Sequence, residues 1–205
     1  MKAGEPYSIH GRLDLAASSD EALIALYREG RADAFEVLVK RYEKRLFNYI
    51  RRMVSSGADA DDLFQETFLR VYRHLERFRT SGSFQAWVYR IATNVCKDHL
   101  RRRHRRGEVP LDRGPDSAEA GLMDRLESPV PGPDAQAQGA ELAERLESAL
   151  VGLPVKHRAV FLMARYDRMP YDAIAKSLRI PVGTVKSRMN KAVHTLLAEI
   201  REAAP

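Results

Sequence analysis

The stretch IPVGTVKSRMNKA, Ile180 to Ala192, decides how this chain is read. A proline and a glycine open it, and basic and apolar residues then alternate. With Val185 at zero and about 100° of turn per residue, Met189, Ala192, Val193, Leu196 and Ile200 fall in one apolar sector. Gly183, Ser187, Asn190, Lys191 and His194 fall in the opposite one, with Thr184 and Lys186 at its flanks. The apolar sector is expected to pack on Ile174, Ala175, Leu178 and Ile180, on and just after a short helix around Tyr171 to Ser177. Two helices joined by a tight turn, the second presenting small polar and basic side chains, make a helix-turn-helix. Such a second helix fits the DNA major groove, where Lys and Asn pair with base edges. Gly183 and Thr184 stand at its N-terminus, where free N–H groups and the positive helix end suit a phosphate. The bland alternative is a solvated face on an ordinary bundle helix.

Working outward, Pro154 opens a further helix through Val160, Phe161, Met163 and Ala164, and Leu142, Leu146, Ala149 and Leu150 mark another. This block runs from 140 to 205. Before it lies a segment, 107–139, in which seven acids face only Arg113 and Arg125 and which holds Pro110, Pro115, Pro129, Pro131 and Pro133. Low hydrophobicity with repeated Pro and Gly predicts a flexible acidic linker. Its contour reaches on the order of 110 Å at about 3.3 Å per residue, and its flexible span is nearer ~30 Å.

The first block runs from 19 to 106, behind an N-terminal extension, 1–18, expected to be unstructured. Ser19 or Asp20 caps a helix beginning DEALIALYREG. Phe35, Leu38, Val39, Tyr42, Leu46, Tyr49, Ile50 and Met53 recur at helical spacing. Gly57 and three nearby aspartates interrupt the pattern. A second strong helix carries Leu63, Phe64, Thr67, Phe68, Val71, Tyr72 and Leu75 on one side. FRTSGSF, Phe78 to Phe84, reads as a loop. A third helix carries Phe84, Trp87, Val88, Ile91, Ala92 and Val95, and ends in RRRHRR, Arg101 to Arg106. The fold class is therefore all-α: two small helical domains joined by a flexible acidic linker, the C-terminal one containing the helix-turn-helix.

Composition narrows the function. A net charge of +6 and a pI near 9.5 favour an anionic partner. The one cysteine, Cys96, excludes an intrachain disulfide and gives no zinc spacing. No apolar run reaches a signal-peptide core or a membrane span, so the expected compartment is the cytoplasm, with no membrane insertion. Asp59, Asp61, Asp62 and Glu66 are the one carboxylate cluster that suggests a metal. Three of them sit in a polar turn with no histidine spaced to help, so neither a metal nor a cofactor is expected.

Two longer stretches carry a resemblance. LPVKHRAVFLMARYDRMPYDAIAKSLRIPVGTVKSRMNKA, Leu153 to Ala192, resembles the promoter-binding C-terminal domain of bacterial sigma factors. DLFQETFLRVYRHLERFRTSGSFQAWVYRIATNVCKDHLRRR, Asp62 to Arg103, resembles their N-terminal DNA-melting domain. With these two blocks and little else, the chain resembles the extracytoplasmic-function (ECF) group of the sigma-70 family. Two departures stand out. Pro170 and Pro181 take positions where many relatives have a serine able to cap a helix, and the linker is fairly long.

The resemblance implies an alternative sigma factor, not an enzyme, that binds RNA polymerase core and promoter DNA. An anti-sigma protein is a further partner it brings in. The −35 element would be read by Pro181, Gly183, Thr184, Lys186, Ser187, Arg188, Asn190 and Lys191. The −10 element would be held by Phe78, Arg79, Ser83, Trp87, Arg90, Asn94 and Lys97. That assignment is chemically sensible, since aromatic platforms, amides and basic tracks hold single strands. Core would be bound through Asp62, Gln65, Glu66, Leu69 and Arg70, where spacing by four places Asp62, Glu66 and Arg70 on one stripe. Two rival classes compete. A response-regulator type of helix-turn-helix protein needs a strand–helix receiver, which the first block does not show. A metal-dependent nuclease needs a ligand cluster.

Overall fold

Ser19 begins the ordered helices: its Oγ accepts from the Ala22 N–H at 3.2 Å and caps α1 (Asp20–Arg28), an interaction that stabilises a helix start by about 1 kcal/mol. The computed structural model describes residues 14–79, 82–107 and 145–202. Most of the expected linker and of the N-terminal extension therefore lies outside the described residues, as do Thr80, Ser81 and Leu142. Within the extension, residues 14–18 form a turn. The Arg41 guanidinium holds it by donating to the Ala16 and Ser18 carbonyls at 3.1 and 2.7 Å.

The first domain continues with α2 (Ala32–Val54), α3 (Gly57–Leu75) and α4 (Phe84–Arg105). Gly57 and its aspartates do not end a helix, as their composition suggested. They form the first turn of α3, capped by Ser56, whose Oγ accepts from the Asp59 N–H at 3.4 Å. The break is one step earlier, at Ser55, which takes a left-handed conformation (φ 63°) and closes α2. Acids in a first turn suit the positive helix end. Leu38, Leu46, Ile50 and Met53 of α2, Val71 and Leu75 of α3, and Val88 and Ala92 of α4 are fully buried. Each large aliphatic side chain so buried contributes about 1.5–3 kcal/mol.

The second domain holds α5 (described over 145–152), α6 (Val155–Arg165), α7 (Tyr171–Leu178) and α8 (Val182–Glu202). Pro154 and Pro170 stand at the N-caps of α6 and α7, and neither offers a side-chain hydrogen bond. Their carbonyls accept the first intrahelical bonds, from Arg158 N at 2.9 Å and Ile174 N at 3.0 Å, as at any helix start. Among the described residues there are no strands.

The two domains pack against each other: α4 lies on α7 and α2 on α6. One continuous apolar core joins them.

Candidate nucleic-acid interface

α8 divides as its periodicity requires. Val185, Met189, Ala192 and Leu196 are buried, while Val193 and Ile200 are half-buried. Pro181, Gly183 and Lys186 are exposed; Thr184, Ser187, Arg188, Asn190 and Lys191 are half-buried. The Pro181 carbonyl accepts from Thr184 N at 3.0 Å and Val185 N at 3.2 Å, which sets the first turn without a side-chain cap. A methyl group at Gly183 would meet no atom within 4 Å. Its bareness therefore serves no internal packing and leaves the backbone open to a partner. Arg179, at the C-cap of α7, is left-handed (φ 54°) and makes the tight turn between the two helices.

On α4, Trp87, Arg90, Asn94 and Lys97 form one stripe at helical spacing. Asn94 is exposed; Trp87, Arg90 and Lys97 are half-buried. Arg79 is exposed in the loop before the helix. Ser83 is the N-cap, its Oγ accepting from Ala86 N at 3.3 Å, so its role in this arrangement is to start the helix. Phe78, expected as a stacking platform, is 8 % exposed. Its ring lies 4.9 Å from Trp87 and 5.8 Å from Phe84, and so belongs to the core. Arg28 of α1 donates to the main-chain carbonyls of Leu75 and Phe78 and ties the start of the loop to the first helix.

The stripe faces α7. Arg90, Thr93, Asn94 and Lys97 line one wall of a cavity whose other wall is Ser177, Leu178 and Arg179. Burial and then Arg179 lower the Arg90 pKa. Burial, then Arg188 and Arg101, lower that of Lys97, with Asp98 opposing. The candidate residues of the two domains, which sequence places far apart, thus meet across one seam.

On α3, Asp62 and Gln65 are exposed, and Leu69 is half in solvent at 50 %. Glu66 pairs with Arg70 at 2.7 Å, as their spacing predicts, a contact worth about 0–1 kcal/mol at the surface. Asp59, part of the suggested metal cluster, lies 3.4 Å from His99 and 3.3 Å from Arg103 instead. Among the described residues no three His, Cys, Asp or Glu side chains are placed to hold a metal.

Two family models match the chain in order: sigma-70 region 2 over residues 38–106, and sigma-70 region 4 over residues 143–196. The chain belongs to the ECF group of bacterial sigma-70 factors. It is 31 % identical to the RNA polymerase sigma-H factor of Pseudomonas aeruginosa, across 90 % of this chain and 99 % of that one. It is 32 % identical to the ECF sigma-E factor of Escherichia coli, across 85 % and 90 %. Among solved structures it resembles CnrH in complex with the cytosolic domain of CnrY. The TM-score is 0.67 at 25 % identity, covering 91 % of this chain and 100 % of that one. The RpoE–NepR complex from Bartonella quintana, at 19 % identity and TM-score 0.61 over 83 % of this chain and 98 % of that one, shares the fold. This sigma factor binds RNA polymerase core and directs promoter-specific initiation. No helix among its described residues is long and apolar enough to cross a membrane.

One surface residue of the sigma factor escaped the sequence reading. Tyr72 was expected on the inner side of α3, yet it is 54 % exposed. It packs edge-on against Phe35 and Tyr27, with centroids 5.5 and 6.2 Å away. Periodicity could not separate it from Val71, its buried neighbour, because the apolar band of α3 is wider than its buried face. Leu69 and Tyr72 are the two large apolar side chains that α3 leaves exposed among its described residues.

Proposed function

We propose that the division of labour within this sigma factor follows its two blocks. Residues 19–106 form the core-binding and −10-melting domain, 107–139 the linker, and 140–205 the −35-reading domain. Asp62, Gln65, Glu66, Leu69 and Arg70 dock on polymerase core. Ser187, Asn190 and Lys191 reach −35 base edges, with Pro181, Gly183, Thr184, Lys186 and Arg188 set against the backbone. Asn94 reads an unstacked −10 base beside Trp87, while Arg79, Arg90 and Lys97 follow phosphates. Phe78 and Ser83 shape the loop. The protein acts in the cytoplasm, where polymerase works, and performs no bond chemistry of its own. An anti-sigma protein is a fitting regulator, since the similar RpoE structure is a complex with the anti-sigma factor NepR.

The observation that carries this reading is the split of α8: an apolar sector buried at Val185, Met189, Ala192 and Leu196, and an opposite sector of small polar and basic groups that is half-buried or exposed. Melting needs core as well. Stacking costs about 1.4 kcal/mol per step, and one captured base recovers roughly 1–3 kcal/mol. The test is run-off transcription with reconstituted polymerase on promoters varied at −35 and −10. Alanine at Ser187, Asn190 and Lys191 together changes −35 preference, at roughly 1–3 kcal/mol per lost base contact. An unchanged preference overturns the assignment.

A further inference from the structure

The two edges of the interdomain seam differ in charge. At one edge, Arg52 meets Glu147 at 3.1 Å and Arg158 donates to the Met53 carbonyl at 2.7 Å. At the other, a cavity of about 270 Å³ lies between α4 and the end of α7. Arg90 and Lys97 enter it from the first domain and Arg179 from the second, with Asn94 and Ser177 between them. No carboxylate lines it. Among the described residues, none of these three cations forms an ion pair.

Like charges drawn together across an interface oppose its closure. Partly buried cations add a desolvation cost, which at Lys97 the Asp98 carboxylate offsets only in part. The lowered pKa values of Arg90 and Lys97 are the mark of both effects. An anion in the cavity removes both at once, and guanidinium groups match phosphate oxygens in pairs. A second cavity, of about 460 Å³, shares Arg90 and Arg179 with the first, adds Lys176, and is walled by Trp87. An aromatic ring thus lines it beside the cations.

We propose that the cavity between α4 and α7 binds the phosphoryl groups of a small phosphorylated molecule, and that the bound anion holds the two domains together over the Arg90–Asn94–Lys97 face. Binding itself is independent of the promoter reading; only its consequence for transcription rests on that reading.

The experiment titrates the full chain with pyrophosphate, and separately with ATP, at ionic strength matched with sodium chloride. The single tryptophan, Trp87, reports the neighbouring cavity by fluorescence, and small-angle scattering reports compaction. Both signals shift saturably in the native chain. Arg179→Asn removes one cation with a residue that tolerates the left-handed backbone, and needs about tenfold or more ligand. Lys97→Gln weakens binding similarly without touching that turn. Arg168→Asn changes the same charge at another left-handed position (φ 52°) outside the cavity, and responds like the native chain. ATP saturating below pyrophosphate assigns a nucleotide that also uses Trp87; otherwise the free phosphate compound is the ligand class. No saturable shift with either probe overturns the proposal, as does an equal response of the native and Arg179→Asn chains. Run-off transcription is scored in parallel. A chain that binds pyrophosphate but supports no run-off refutes only the promoter reading, and the reverse result refutes only the anion site.

Discussion

Arg158 of α6 donates a hydrogen bond to the main-chain carbonyl of Met53, at the end of α2, across 105 residues of sequence and 2.7 Å of space. The same guanidinium donates to the carbonyls of Val151 and Leu153. One buried cation thus satisfies carbonyl groups from both domains. Replacing it with methionine keeps much of the volume but leaves those acceptors dry. Hydrogen bonds to a charged group contribute about 1.5–3 kcal/mol. Arg158→Met should therefore lower the thermal midpoint and loosen the seam, seen by circular dichroism melting and small-angle scattering. A native-like melt and radius would refute the role assigned to Arg158.

Asp167 gives the seam a pH dependence. It lies in the turn between α6 and α7, with the Tyr89 hydroxyl of α4 and the charges of Arg45 and Arg52 of α2 facing it. Burial pushes its carboxyl up to about 6, against the pull of Tyr89, Arg45 and Arg52. Opening the seam returns it toward the ordinary value near ~4. The packed form therefore binds the proton more tightly. Its extra stability is fully present below the open-state value and is lost as pH rises through about 6. Scattering should show compaction increasing from pH ~7 to pH ~5, with Asp167→Asn compact and insensitive across that range. The same pH response in the variant would exclude Asp167 as its source.

Phe78 and Asn94 separate stability from melting. Phe78 is buried against Phe84 and Trp87, so Phe78→Ala should cost about 3 kcal/mol or more of stability. Asn94 is exposed, so Asn94→Ala should leave the thermal midpoint in place. With core bound, permanganate reactivity of thymines near −10 should fall sharply in the Asn94 variant. Full opening with alanine at Asn94 would remove it from base capture.

Leu69 and Tyr72 should carry core affinity beyond the charged stripe. Both are half in solvent, and apolar anchors dominate interfaces. Serine at both positions should weaken core binding in pull-down and titration by about tenfold or more, while the helix content stays native. Unaltered core affinity would confine the interface to the polar residues.

The helices of this protein, and the helix-turn-helix with its buried and open sectors, were legible in the sequence because each depends on rotation about one helix axis. Val185, Met189, Ala192 and Leu196 declare a face whatever lies opposite. Caps were legible where a side chain makes them, as at Ser19. The start of α3 was harder, since Gly57 and its aspartates suit a loop and a first helical turn alike. Only the tertiary structure decided which aromatic side chains are core. Phe78 is enclosed by Phe84 and Trp87 of α4, and Tyr72 is left outside by the width of the apolar band on α3. It alone decided, too, that α4 meets α7 and that Arg158 reaches Met53. Such contacts join residues distant in sequence through the shapes and charges of two finished surfaces, and no local period records them.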